Sequence, residues 1–76
     1  MEREEFEISL HNLGWKQELP NIFVSKSGAV TVHTDDWTAT IKVHSKVYAS
    51  FGYVECCEDR QRKTISCGGI ELQGQF

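Results

Sequence analysis

From Ile22 onward the chain alternates apolar and polar residues in short runs. Val30 and Val32 share one phase, as do Ala39, Ile41 and Val43, and less regularly Val47, Ala49, Phe51 and Tyr53. A period of two is that of half-buried β-strands. Turn formers punctuate the runs at Lys26-Ser27-Gly28, Thr34-Asp35-Asp36, Ser45-Lys46 and Gly68-Gly69. The pattern predicts strands over 22–25, 29–33, 37–44, 47–57 and 63–67, with an edge strand over 70–72. Gly52 marks a bulge or close backbone approach in the fourth of these. The charged segment 58–62 reads as an exposed hairpin tip and 73–76 as a loose tail.

The first segment fits two periods. Phe6, Ile8 and Leu10 alternate as in a strand, whereas Phe6, Leu10 and Leu13 fall on one helical face. Four glutamates near the start suit the positive end of a helix dipole, and Gly14 suits a left-handed C-terminal cap, so a helix over 2–13 is expected. Trp15 would fold back on Leu10 or Leu13. Residues 16–21, which contain the only proline, Pro20, read as a connector. The expected fold is α+β: one domain over 1–76, with an amino-terminal helix packed on a four- to six-stranded antiparallel meander.

Length narrows the function classes. A chain of 76 residues hides only about 60 to 65% of its unfolded surface, which leaves little room for a deep enzyme cleft. No apolar run approaches the roughly 20 residues of a membrane span, and the acidic opening lacks a secretory pattern, so no membrane partner and a cytoplasmic location are expected. Cys56, Cys57 and Cys67 are an odd number at low density, which points to reduced thiols rather than a disulfide framework.

Charge is unevenly placed. The net charge of -3 arises in the first seven residues, where Glu2, Glu4, Glu5 and Glu7 oppose Arg3; the remaining seven acids and seven bases balance. No basic face of the size used for duplex DNA can be assembled.

Chemistry-bearing residues are present without the expected spacing. The cysteines with His33 and His44 are zinc-type donors, but Cys56 and Cys57 are adjacent and would point to opposite faces of a strand, so no metal or other cofactor is expected. One of the pair would fill the core and the other face outward. A cysteine nucleophile would need His33 or His44 beside it. His11, His33 and His44 fall on polar phases, and Asp35 and Asp36 suit turn chemistry better than acid-base catalysis. No phosphate loop, nucleophile elbow or His-Glu-x-x-His occurs, and the chain is read as a non-enzyme.

Two binding readings remain. In the first, the domain docks on a larger protein or protein complex through Trp37, Tyr48 and Tyr53, with Arg60 and Arg62 as further contacts, because Trp, Tyr and Arg are the usual interface anchors. Tyr48 and Ser50 would face outward, and Tyr53 inward unless Gly52 reverses the phase. By analogy of type, a small acidic domain of this kind suits a phage or mobile-element inhibitor that blocks a host complex, the acidic helix start competing for a basic groove. In the second, Trp37, Tyr48 or Phe51 would stack on single-stranded nucleic acid while Lys42, Lys46, Arg60, Arg62 and Lys63 hold its backbone. An exposed edge at 22–25 or 70–72 would also suit a homodimer.

Overall fold

The structure, a computed structural model, describes residues 1–76. Helix α1 (Arg3–Leu13) is followed by β1 (Lys16–Leu19), β2 (Ile22–Val24), β3 (Val30–Thr34), β4 (Thr38–Val43) and β5 (Lys46–Gly52). A 3-10 turn, Tyr53–Glu55, then leads to β6 (Cys56–Asp59), β7 (Thr64–Cys67) and β8 (Ile70–Gln73). All strand pairs are antiparallel. β1 to β5 form one meander in sequence order, and β6 to β8 form a second, three-stranded sheet.

The first segment is helical because that choice hides three large apolar side chains. Phe6, Leu10 and Leu13 are buried, while Ile8, which the strand phase would have placed beside them, is 59% exposed. The Glu2 N–H donates to Glu5 Oε1 at the first turn, and Gly14 ends the helix with φ +92°. The Gly14 and Trp15 N–H groups donate to the carbonyls of His11 and Leu10 at 2.9 and 3.1 Å. These two bonds make a Schellman cap, which turns Trp15 into the core. Its indole Nε1–H donates to the Gln73 carbonyl at 3.0 Å, tying the helix end to β8.

The helix lies on the junction of the two sheets. Thr34 Oγ1 donates to Glu7 Oε2 at 2.6 Å from the five-stranded side, and Ser9 Oγ donates to Glu58 Oε1 at 2.8 Å on the three-stranded side. Phe23, Val32, Ala39, Ile41 and Phe51 supply the core from the larger sheet, and Cys56, Ile65, Cys67 and Leu72 from the smaller. The Phe6 ring meets Phe51 edge-on at 5.7 Å and lies 5.4 Å from Tyr53, distances typical of favourable aromatic pairs.

The structure corrects several expectations. Residues 16–19 are a strand rather than a connector, since Pro20 and Asn21 make a two-residue corner that pairs Leu19 with Ile22. β1 carries no alternation because its residues are all exposed. β2 is therefore interior and offers no dimer edge. The long strand expected over 47–57 breaks at Gly52, where Glu55 Oε2 accepts the Gly52 N–H at 3.0 Å and the 3-10 turn sends the chain into the second sheet. Glu58 and Asp59 belong to β6, which leaves residues 60–63 as the hairpin tip. The tail is also anchored: Phe76 packs against the core, and its carbonyl accepts the Ser27 N–H at 3.1 Å.

Candidate interaction surface

The surface is shaped by an irregularity in β5. Ala39 pairs with Phe51 and Ile41 with Ala49, but the next pair is Lys42 with Val47, so Tyr48 is the extra residue of a β-bulge. A bulge reverses the phase of what precedes it. Val47 consequently sits opposite Lys42 and is exposed. Tyr48 does not join Ser50 on the outer face as alternation implies; it borders a groove lined by core-side residues of both sheets.

The groove opens where the two sheets diverge. Val30, Ile41, Val43 and Tyr48 line it from the larger sheet, Ile70 and Leu72 from β8, and Phe76 closes one end; its volume is about 380 Å³. That is the lower range of pockets that enclose an apolar group. Val30, Val43, Ile70 and Phe76 are partly buried, and Tyr48 is 66% exposed at the rim. Glu71 is the only charged residue of the lining. β5, which carries Tyr48, is an edge of its sheet, so one row of its backbone N–H and C=O groups has no neighbouring strand.

The remaining candidates are dispersed. Trp37, 85% exposed at the β3–β4 corner, lines a separate depression of about 620 Å³ with Met1, Tyr53 and exposed Val54, bordered by Glu2, Glu4 and the Arg3–Asp36 ion pair. Tyr53 drops out as a surface anchor. It is 5% exposed, and its hydroxyl donates towards the carbonyls of Asp35 and Thr38. Burial pushes its pKa up to about 12.

Arg60 and Arg62 occupy the β6–β7 tip, apart from the groove's lining. Arg60 lies 3.7 Å from Glu58 and Arg62 lies 3.5 Å from Glu71, pairs exposed enough to contribute little. Arg62 shares a polar depression with Lys26, Lys63, Gln61, Gln73 and Gln75.

The stacking set proposed for nucleic acid is also divided. Phe51 is buried against Phe6, and Tyr48 turns toward the groove while Lys42 projects from the other face with Thr31 and Val47 as its ladder partners. Among the histidines, His33 Nε2 lies 2.8 Å from the Asn21 amide and 3.5 Å from Asp35, and His11 packs edge-on against Phe23. No group of three or more His, Cys, Asp or Glu side chains is arranged to hold a metal ion. All three cysteines are free thiols, Cys57 exposed and Cys56 and Cys67 buried.

Residue type singled out Trp37, and alternation set Tyr48 outward, but neither gave a sign of the groove, because Val30, Val43 and Ile70 read as core. Their half-burial follows from the split into two sheets. No helix is long and apolar enough to cross a membrane. Comparison with protein-family models, with curated proteins and with solved structures finds no match.

Proposed function

We propose that this domain is a non-catalytic protein-interaction module that binds a larger protein partner along the free edge of β5 and takes an apolar side chain of that partner into the groove beneath Tyr48. The observation that carries the reading is the coincidence of an unpaired strand edge with an apolar groove at a single bulge. Strand addition draws affinity from main-chain hydrogen bonds and specificity from pockets that take alternate side chains. The groove supplies such a pocket, and Tyr48 supplies a large, stiff aromatic at its rim. Occupation of an edge on a larger complex would block whatever that edge normally engages, which is how a small cytoplasmic inhibitor of this type would act.

Affinity capture from a cell lysate, with and without nuclease, tests the reading when run in parallel with Tyr48→Ala. A stoichiometric protein retained after nuclease and weakened about tenfold or more by Tyr48→Ala, with the melting temperature unchanged, is the expected result. Retention that vanishes with nuclease, or that ignores Tyr48→Ala and Ile70→Ala alike, overturns it.

A further inference from the structure

Cys56 and Cys67 stand directly opposite one another in the β6–β7 ladder. The Gly68 N–H donates to the Glu55 carbonyl at 3.3 Å. Glu55 and Gly68 are therefore a hydrogen-bonded pair, and by antiparallel alternation Cys56 and Cys67 are a non-hydrogen-bonded one. Such pairs bring their Cα atoms to about 4.5 Å, within the roughly 4.4–6.8 Å that a disulfide spans. Cys56, Cys67 and Ile70 form one row across the second sheet. Both thiols are free, Cys67 fully buried and Cys56 7% exposed at the start of its strand. Cys57 pairs with Ser66 and is exposed, so it lies on the opposite face from this row.

We propose that Cys56 and Cys67 are an oxidation site, which hydrogen peroxide closes into a cross-strand disulfide. The two thiols have different roles. The neighbouring Cys67 thiol holds the Cys56 pKa below its ordinary value, while Cys56 and burial push Cys67 up; the Cys56 thiol itself donates to the Gly52 carbonyl at 3.7 Å. Cys56 ionises first and is also the one nearer solvent.

In the first step the Cys56 thiolate attacks one peroxide oxygen. The O–O bond breaks, the departing hydroxide takes a proton to leave as water, and Cys56 becomes a sulfenic acid. In the second, Cys67 sulfur attacks Cys56 sulfur, the S–OH bond breaks, and the hydroxyl leaves with the Cys67 proton as a second water. Two thiols are oxidised to one disulfide and one peroxide is reduced to two waters.

The test uses Cys57→Ser, which removes only the exposed thiol. Treatment with one equivalent of peroxide should abolish alkylation of both remaining thiols in denaturant and link the two cysteine-bearing peptides in a non-reducing map. The melting temperature should rise by about 10 °C and return on reduction, because the bond closes a short loop in the unfolded chain. Adding Cys67→Ser should remove the rise and leave a Cys56 sulfenic acid that a 1,3-dione traps. Persistence of both thiols after peroxide, or linkage only between separate chains, overturns the assignment.

Discussion

Tyr53 carries more of the fold than its position in the sequence suggests. Its ring packs on Phe6 and its hydroxyl reaches the Asp35 and Thr38 carbonyls, so one side chain closes the β3–β4 corner from beneath. Removal from water raises its pKa from 10.0 to about 12. An acid whose folded pKa is raised contributes in full below its unfolded pKa and loses that contribution as pH rises through the folded one. Between pH 10 and 12 the unfolded chain ionises first, and about 2 kcal/mol of stability should disappear. Denaturant titrations of the parent and Tyr53→Phe across this range should show the gap between them narrowing by that amount; a constant gap would mean that the phenol ionises alike in both states. Alternation alone placed Tyr53 inward, but through a continuing strand. It reaches the interior instead from a 3-10 turn, whose stabilising contact, Glu55 carboxylate to Gly52 N–H, has no signature in a hydropathy pattern.

At the scale of elements, the hairpin turns carry residual strain. His44 and Ser45 connect β4 to β5 with φ of +50° and +68°, the left-handed values of a two-residue turn for which Asn-Gly is the preferred sequence. The equivalent turn between β7 and β8 already uses Gly68-Gly69. His44→Asn combined with Ser45→Gly should stabilise the domain by about 1 kcal/mol, because both residues enter the left-handed region at lower cost. The urea midpoint should rise with an unchanged slope; a fall would show that His44 or Ser45 contributes a contact that outweighs its backbone strain. The Gly68-Gly69 turn was legible in sequence, as were the helix and the strands whose inner residues are buried in alternation; the β4–β5 turn was read one residue late, at Ser45-Lys46, because His44 continues the polar phase of β4. β1 was not legible, because a strand exposed along its whole length has no phase to read. The bulge was equally silent: alternation put Val47 inward and Tyr48 outward, and only the ladder, which pairs Ile41 with Ala49 and Lys42 with Val47 and skips Tyr48, reverses them. The groove inherits that silence, since it needs both the divergence of the sheets and the bulge that brings Tyr48 to its rim.

For the whole molecule, the question is whether two sheets with separate ladders unfold as one body. The helix argues that they do. Phe6 touches the larger sheet and the 3-10 turn, Glu7 bonds to Thr34, Ser9 bonds to Glu58, and Trp15 bonds to Gln73, so no ladder can leave without exposing the same helical face. The two tryptophans offer a direct test. Trp37 is already solvated in the native state, whereas Trp15 is 2% exposed and bonded to β8. A red shift of fluorescence on unfolding therefore reports release of Trp15 from the second sheet, while far-ultraviolet circular dichroism reports the helix and both sheets together. The two transitions should share one midpoint in urea, the behaviour of a single cooperative unit of this size. A fluorescence midpoint at clearly lower urea would show instead that β6 to β8 detach first and that the groove, which needs Ile70 and Leu72 on one side and Val30 and Val43 on the other, opens before the domain unfolds.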